Sequence, residues 1–461
     1  MALDPEGIQE LLNEAARSNF KDDRLRQRLA KIVSKLAAEP SASFPQVFNA
    51  AELEGAYRFF GNPVVGSEEI LSGHYARMQE RSRESGSVLV VHDSSQFAFD
   101  PNGEREGLGR INKNGQAFFG HFALVLKADG SRTPLGLAAL ETWVRGEDPA
   151  GAEKKRWARG VDVASARLGE TQQVLHVMDR EADDYALFAH LVENQHLFLI
   201  RLTHDRLLSR EVGEASSRIS NLLSQIDCVI ERRTKLSKRV EGSRSRTQKK
   251  THPARSARVA QLAIGAVPLL LPRPRTQRDV TEQLSLTLIR VWEPSPPEGE
   301  PPVEWLLITN GSATRAEELS QLVDAYRARW TIEEFFKALK TGCAFMKRQL
   351  EDYESLVNAL AVSAPIACRA LELRTRARLK PEAVDEIMLE PDELLVLRLK
   401  GRTKLPANPS NRDILLAVAA MGGHIKWNGD PGWKTICGGL DKIVTLTKNY
   451  RLAKLQPASD Q

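Results

Sequence analysis

Apolar residues recur at helical spacing through the first part of the chain. The stretch DDRLRQRLAKIVSKLAAEP has an apolar face and a basic opposite face, and the pattern stops at Pro40. A second stretch of this kind, NAAELEGAYRFFGNP, ends at Asn62 and Pro63. Because no strand pattern interrupts this part, the sequence predicts a helical domain over residues 1–67.

The pattern changes to that of strands after residue 67. The stretch SVLVVHDSSQFAF is apolar at first and then alternates, and FFGHFALVLKADGSRTPLGLAALETWV has the pattern of a hairpin with its turn at residues 128–131. A helix near 152–168, the strand QQVLHVMD, a helix near 183–193 and the strand HLFLIRLTH follow. This succession predicts an α/β core.

Strand patterns in a polar, proline-rich and basic setting occupy residues 211–302, which predicts a β-rich insertion. The strand VEWLLIT and a helical stretch over 315–341 then resume the core. Helical patterns dominate the end of the chain. We therefore predict a core domain over 68–380 and a helical C-terminal domain over 381–461.

Composition narrows the class of protein. With 461 residues the chain is too long for one ordinary domain, and 42% apolar and 27% charged residues are typical of a globular protein. No apolar run is long enough for a membrane span, and the N-terminus lacks the pattern of a secretory signal. Four widely spaced cysteines fit neither a disulfide framework nor a zinc site, so we expect reduced thiols in a cytoplasmic protein.

The net charge of +5 alone does not indicate a binding partner, but the distribution of charge along the chain is more informative. Between Glu231 and Arg258, eleven Lys and Arg residues oppose two Glu residues, with Gly, Ser and Pro among them. Such a run forms either a solvated loop or an arm that binds phosphates.

Two acidic residues stand where apolar runs stop. Asp93 ends VLVVHD, and Asp179 ends VLHVMD. Ligands gather where the strands of an α/β sheet end, and two carboxylates placed together there would repel each other unless a divalent cation were bound. The alternative for each residue is a turn or a helix cap, and Asp179 precedes a predicted helix.

A third acidic residue, Glu333, lies in YRARWTIEEFFKALKTG. On a continuous helix, Tyr326, Arg329, Glu333, Lys337 and Lys340 fall within about 80° of each other. The alternative is a solvated face with ion pairs four residues apart. Apolar residues upstream lie on or near the same side, so we predict that the face points inward and meets an anionic substrate.

Three carboxylates with neighbouring cations suit metal-dependent chemistry on a phosphodiester. Two metal ions about 3.5–4 Å apart can activate water and stabilise the leaving oxygen. Oxygen ligands without a Cys or His cluster favour Mg²⁺, and Mn²⁺ is expected to substitute. An aspartyl-phosphate mechanism at HDSSQ is less suitable, because Ser95 stands where a second acid is usual.

At these residues the chain resembles the bacterial DDE cut-and-paste transposases of the insertion-sequence-four family. The family's most specific motif is matched without a gap by Tyr326, Arg329, Glu333 and Lys340. Asp179, at the start of DREAD, matches the second Asp of the family's catalytic triad. The resemblance implies a ribonuclease-H-like core with a β-rich insertion between the second Asp and the Glu. It also implies that Asp93, Asp179 and Glu333 are the metal-binding catalytic triad, holding two ions.

The resemblance implies a set of DNA contacts: Arg28, Arg58, Arg201, Lys249, Lys250, Arg255, Trp305, Tyr326, Arg329, Lys337 and Lys340. Arg201 would lie near the cleaved end, and Trp305 would stack with a flipped base. The alternatives are a core aromatic for Trp305 and solvated helix faces for Arg28 and Arg58. The chain departs from the pattern at Phe336, where a relative has His, and at Gly61, where it has Arg, and such positions bear on base readout.

The function implied is that of a DNA transposase. It would bind terminal inverted repeats, pair two ends through a homodimer of its C-terminal helices, cut through a hairpin intermediate and insert the element into target DNA. One alternative is a ribonuclease-H-fold nuclease or domesticated transposase without strand transfer. A DNA-binding repressor, which would need no intact triad, and an RNA-processing protein are the others. We expect a cytoplasmic, nucleoid-associated bacterial protein with no membrane partner.

Overall fold

The computed structural model describes residues 5–99, 104–112, 115–146, 152–169, 172–208, 217–239, 254–383, 389–425 and 430–455. Over these residues the helices are α1 (Pro5–Ala16), α2 (Asp23–Ala38), α3 (Phe44–Val47), α4 (Ala50–Phe60), α5 (Ser67–Ser85), α6 (Ala152–Leu168), α7 (Tyr185–Glu193), α8 (Ile219–Leu222), α9 (Ala316–Ala328), α10 (Trp330–Lys337), α11 (Tyr353–Leu379), α12 (Pro391–Lys400), α13 (Asn411–Met421) and α14 (Trp433–Leu455). The strands are β1 (Ser87–Phe99), β2 (Gly109–Asn112), β3 (Gly115–Lys127), β4 (Pro134–Trp143), β5 (Gln173–Met178), β6 (Leu197–Arg201), β7 (Leu207–Leu208), β8 (Ser217–Arg218), β9 (Ile230–Leu236), β10 (Arg258–Pro272), β11 (Gln283–Trp292) and β12 (Glu304–Thr309).

The chain divides into two compact units. The first unit comprises Met1–Ala150, Val163–Gln173 and Trp330–Gln461, and the second comprises Gly151–Asp162 and Val174–Arg329. The first unit therefore contains both ends of the chain, and the second contains the predicted insertion.

The N-terminal helices of the first unit form because capping residues and apolar faces coincide. Helix α2 begins after Asp22, whose side chain accepts a hydrogen bond from the backbone N–H of Arg24 at 2.9 Å. Helix α4 begins after Asn49, which forms a capping box with Glu52. The buried side chains of α2 recur every three or four residues, as the helical pattern predicted; they are Leu29, Ile32, Val33, Leu36 and Ala37.

The first unit also contains the predicted hairpin. Strands β3 and β4 pair antiparallel, and in the turn between them Asp129 accepts a hydrogen bond from the N–H of Ser131 at 2.9 Å while Gly130 has a φ of 84°. Strand β1 pairs antiparallel with β3, and Asp93 lies opposite Phe122 in this register. Phe122 is fully buried, so one face of these strands belongs to the core of the unit.

The sheet of the second unit has the strand order β5-β6-β12-β11-β10-β9 over the described residues. Strands β5 and β6 are parallel, and the other neighbours are antiparallel. Strands β9, β10 and β11 come from the region predicted to be a β-rich insertion, and they continue the sheet beyond β12. Helix α7 covers this core, where the rings of Phe188 and Phe198 stack with centroids 5.9 Å apart.

The longest helix, α11, is the centre of the C-terminal part of the first unit. Among the residues that the structure describes, it alone is long and apolar enough to cross a membrane, but 89% of its most apolar window is buried inside the protein. Its apolar surface is therefore used for packing. Asn358 on this helix donates hydrogen bonds to the carbonyls of Phe60 and Val65, at 2.9 and 3.0 Å, and so connects it to the N-terminal helices.

Candidate active site

Asp93 lies in the middle of strand β1, so the prediction that it ends a strand was wrong. The strand continues to Phe99 because the alternating residues after Asp93 pair with β3 as far as Gln116. The Asp93 side chain is buried, and one of its oxygens accepts a hydrogen bond from the N–H of Ser94 at 2.8 Å.

The helical stretch predicted over 315–341 is divided into three segments. Helix α9 ends at Ala328, where the N–H of Arg329 bonds back to the Tyr326 carbonyl at 3.1 Å, and α10 begins at Trp330. The segment Ala338–Gly342 is a π-helical turn, which is rare in proteins and frequent at functional sites. The single helical face assumed from the sequence is therefore interrupted, and the boundary between the two units falls at Arg329–Trp330.

The first unit brings Glu333, Lys340 and Asp93 together. Glu333 is half-buried in the first turn of α10, and Lys340 follows in the π-helical turn. The Lys340 ammonium donates a hydrogen bond to the carbonyl of Gln96 at 2.7 Å and lies 5.1 Å from the centroid of the Phe97 ring. Burial lowers the pKa of Lys340, and the negative charges of Glu333 and Asp93 partly oppose that shift. Both carboxylates therefore lie close enough to the Lys340 ammonium to influence its pKa.

Lys337 has a different partner from the one expected. The sequence suggested a pair with Glu333, but Lys337 is exposed and donates a hydrogen bond to Glu334 at 3.1 Å. Its ammonium also lies 5.5 Å from the centroid of the exposed Trp330 ring. Glu333 and Glu334 precede Lys337 by four and three residues, which are both neighbour spacings on a helix, and Lys337 pairs with Glu334.

Asp179 lies directly after strand β5, at the strand end that the sequence predicted. It also caps the short 3₁₀ turn Arg180–Ala182, because its side chain accepts a hydrogen bond from the N–H of Glu181 at 2.8 Å. The capping alternative is thus present in the structure. The cap uses one oxygen of the carboxylate, and the remaining lone pairs can bind a metal ion. Capping and metal binding are therefore compatible.

The second unit gathers the other predicted residues around Tyr326. This tyrosine is buried, and Arg201 lies close enough to its hydroxyl to influence its pKa. Burial raises the pKa of Tyr326, the charges of Arg201 and Arg329 lower it, and that of Asp179 raises it, with a raised value as the result. The half-buried Trp305 ring meets the Tyr326 ring edge to face, with centroids 5.5 Å apart. Asp179, Arg201, Tyr326 and Trp305 therefore form one site in this unit.

Asp183, four residues after Asp179, binds the loop that follows β6. It is buried, and its Oδ2 accepts hydrogen bonds from the N–H groups of Thr203 and His204 at 2.7 and 2.8 Å, while its Oδ1 accepts from Arg206 at 3.1 Å. These bonds hold the loop that directly follows Arg201 at the end of β6. No neighbouring residue in DREADD reveals this role, because the partners of Asp183 lie twenty or more residues further along the chain.

The remaining predicted DNA contacts are spread along the chain. The Arg28 guanidinium lies against helix α4, so close to Gly55 that a Cβ built there would be 2.0 Å from Nη1. Arg58 is exposed and pairs with Glu54. Arg255 donates a hydrogen bond to the Ser237 carbonyl at 3.1 Å. The other two basic residues of the loop, Lys249 and Lys250, lie outside the described residues.

Within the described residues, neither unit gathers a metal-binding cluster. Across the described part of the chain, no group of three or more His, Cys, Asp or Glu side chains is arranged to hold a metal ion. Asp93 and Glu333 belong to the first unit and Asp179 to the second. The structure thus places two carboxylates of the predicted triad near one lysine, and it places the third beside Tyr326 and Arg201.

Two family models match the chain. Residues 11–65 match the model described as transposase DNA-binding, and residues 85–367 match the model described as transposase DDE domain. The second match covers more than half of the chain and includes the three predicted carboxylates. The first covers the N-terminal helices that carry Arg28 and Arg58.

Proposed function

The chain belongs to the transposases with a DDE domain, and on that premise we propose that it moves its own DNA element by cut and paste. It is an enzyme of the DDE type, which cleaves phosphodiester bonds and transfers DNA strands with the help of divalent metal ions. Its core is ribonuclease-H-like, with helices at both ends of the chain, and DNA is its partner.

Within this family we place the chain in the insertion-sequence-four group, with motifs like those of the transposase of transposon five. The spacing of Tyr326, Arg329, Glu333 and Lys340 supports this placement, as does the position of Asp179 at the start of DREAD. The continuation of the sheet by β9, β10 and β11 agrees with an insertion between the second Asp and the Glu.

We assign Asp93, Asp179 and Glu333 as the metal ligands, for two Mg²⁺ ions that Mn²⁺ can replace. The donor set fits these ions, because all three side chains offer hard carboxylate oxygens. When bound, the ions supply positive charge that activates water and stabilises the leaving oxygen. Lys340, which both Asp93 and Glu333 influence, is held by the Gln96 carbonyl where it can contact a phosphate of the reacting strand.

The site around Tyr326 would hold the DNA next to the cut. The raised pKa of Tyr326 keeps its hydroxyl protonated, so it can donate a hydrogen bond to a phosphate oxygen. Arg201 and Arg329 supply positive charge beside it. Trp305 is half-buried, and the part of its ring that remains exposed can stack with a flipped base. In the N-terminal helices, Arg28 and Arg58 would contact the end of the element.

The complete reaction would proceed in four steps. Hydrolysis frees a 3′-OH, which attacks the opposite strand to form a hairpin; a second water opens the hairpin, and the 3′-OH then attacks target DNA. Two chains would pair the two ends in a homodimer through the C-terminal helices. We further propose that the protein works in the cytoplasm on nucleoid DNA.

The observation that carries the proposal is the joint presence of Asp93, Glu333 and Lys340 in one place in a chain of this family. The test separates metal binding from capping at Asp179. In Asp179→Asn the amide oxygen still caps the 3₁₀ turn, but the charge is lost. The control is Asp184→Asn, which makes the same change at the residue that caps α7. Cleavage of a labelled end fragment with Mg²⁺ is measured for both.

We expect Asp179→Asn to abolish cleavage and Asp184→Asn to retain it. If Asp179→Asn cuts at the wild-type rate, Asp179 is only a cap and the triad assignment fails. Incubation of precleaved ends with a plasmid then separates a transposase from a nuclease, because only a transposase gives integration products. Competition between RNA and DNA at fixed salt tests the RNA-processing alternative.

A further inference from the structure

Glu334 directly follows the proposed metal ligand Glu333 in helix α10. Consecutive side chains on an α-helix point about 100° apart, so the two carboxylates serve different surroundings. Glu333 and Lys340 lie near each other, and Glu334 faces helices from the C-terminal part of the chain. Nothing in the proposed reaction uses Glu334.

Three side chains donate hydrogen bonds to the Glu334 carboxylate. Its Oε2 accepts from the Arg374 guanidinium and from the Trp433 indole N–H, the latter at 2.9 Å, and its Oε1 accepts from Lys337 at 3.1 Å. Arg374 lies on α11, and Trp433 is the first residue of α14. Both are buried, and the Arg374 guanidinium lies 4.8 Å from the centroid of the Trp433 ring. One carboxylate therefore joins three helices.

The same tryptophan reaches the other end of the catalytic segment. A Cβ built on Gly342, the last residue of the π-helical turn, would lie 3.9 Å from the Trp433 ring and 3.6 Å from the Cys437 sulfur. The start of α14 thus packs against the turn that carries Lys340 while it is hydrogen-bonded to Glu334. π-helical turns are rare and frequent at functional sites, and here the start of α14 packs against one.

We propose that Glu334 is a positioning residue, which holds α10 and its π-helical turn against Arg374 and Trp433 so that Glu333 is oriented for metal binding. This inference rests on the proposed role of Glu333 as a metal ligand. Groups that orient a ligand without touching the metal are known to control affinity strongly, because a misdirected carboxylate loses part of its coordination.

Two variants test the inference on the full chain. Glu334→Gln keeps the shape and an acceptor oxygen but removes the charge that faces Arg374. Trp433→Phe keeps an aromatic ring but removes the indole N–H together with part of the bicyclic ring. The matched control is Glu390→Gln, which removes a carboxylate that pairs with Arg451 near the other end of α14. Arg451 follows Trp433 by eighteen residues, roughly 27 Å along the helix axis.

The measurement is a titration with Mn²⁺ alone, in which the electron paramagnetic resonance signal of the free ion gives the amount bound. We expect Glu334→Gln to raise the half-saturating Mn²⁺ concentration about tenfold and Trp433→Phe to raise it less, while the number of ions bound per folded chain stays unchanged. A merely structural role would instead reduce the number bound, in proportion to the unfolded fraction, without moving the half-saturating concentration. Glu390→Gln should bind as the wild type does.

Glu333→Gln is titrated in parallel to separate the two proposals. If Glu333→Gln weakens Mn²⁺ binding while Glu334→Gln and Trp433→Phe match the Glu390→Gln control, the positioning role is refuted and the metal site stands. If Glu333→Gln binds as the wild type does, the ligand assignment itself is wrong. Should Glu334→Gln not fold, Trp433→Phe alone decides the question, since it leaves the ion pair with Arg374 in place.

Discussion

Replacing Gly55 by Ala should strengthen a helix and weaken DNA binding at the same time. Gly55 lies inside α4, where Ala is favoured over Gly by roughly 0.8–1.0 kcal/mol because its backbone loses less entropy on folding. The Arg28 guanidinium occupies the space that the new methyl group needs. Arg28 is one of our proposed contacts to the end of the element, so the two effects have opposite signs.

The distances set the size of the displacement. A Cβ on Gly55 would lie 2.0 Å from Arg28 Nη1 and 2.6 Å from Cζ, whereas ordinary contact begins at 3.4 Å. The guanidinium must therefore move by at least about 1.4 Å. It is the far end of a flexible side chain, so the move costs little folding free energy. A charge-assisted contact to a phosphate does not survive such a shift, and its loss is expected to weaken binding about tenfold.

Anisotropy of a labelled end fragment, measured over a range of salt concentrations, tests the DNA part. Gly55→Ala should make the negative slope of log K against log salt shallower by about 0.9, as Arg28→Ala should, since each removes one phosphate contact. Thermal unfolding should show a midpoint raised by about 1–2 °C. The control is Gly438→Ala inside helix α14, where a Cβ meets only ordinary contacts at 3.8 and 4.0 Å. If Arg28→Ala binds DNA with the wild-type affinity and salt dependence, Arg28 does not contact a phosphate and the prediction fails.

Three further outcomes are expected. Gly73→Ala should destabilise the protein by about 1–3 kcal/mol in urea unfolding, because its Cβ would lie 1.9 Å from the backbone carbonyl oxygen of Glu14, which cannot swing away. Phe122→Ala should cost about 3–5 kcal/mol by the same measurement, since the ring is fully buried and packs on the Phe335 and Phe336 rings. Burial raises the pKa of Glu334, but hydrogen bonds and charges from Arg374 and Lys337 outweigh it and hold the pKa at about 2, below the ordinary 4.5. The contribution of the ionised carboxylate to the free energy of unfolding is therefore complete above about pH 4.5 and is lost as the pH falls towards 2. Between those values, the unfolding free energy of Glu334→Gln should fall less steeply than that of the wild type.

The parts of the fold that the sequence predicted are those with local causes. Helix α4 begins where Asn49 and Glu52 form a capping box, and both residues stand within four positions of each other. The turn between β3 and β4 follows from Asp129 and Gly130, which supply a side-chain acceptor and a positive φ. In each case the residues that decide the structure are neighbours in the chain.

The errors arise where the decisive partner is distant or where the hydrogen-bond pattern shifts. Asp93 was taken as a strand end because its apolar run stops there, but pairing with β3 carries the strand on. The helix breaks at Arg329, and Ala338–Gly342 forms a π-helical turn. Both are changes in backbone hydrogen bonding, and the sequence pattern with a period of 3.6 residues does not show them. Lys340 nevertheless lies near enough to Glu333 for the carboxylate to act on its charge, while its ammonium donates to the Gln96 carbonyl.

The pair Glu333 and Glu334 shows most clearly what sequence can and cannot decide. The motif spacing selects the first of the two as the catalytic acid, and nothing local distinguishes the second. Its partners, Arg374 and Trp433, lie 40 and 99 residues further along the chain. Only the packing of α11 and α14 against α10 brings them to its carboxylate. If Glu334 positions Glu333 as we propose, then the geometry of the active site depends on residues far outside the motif that identifies it. A variant chain that keeps Asp93, Asp179 and Glu333 but loses Trp433 should therefore retain the motif and bind metal more weakly.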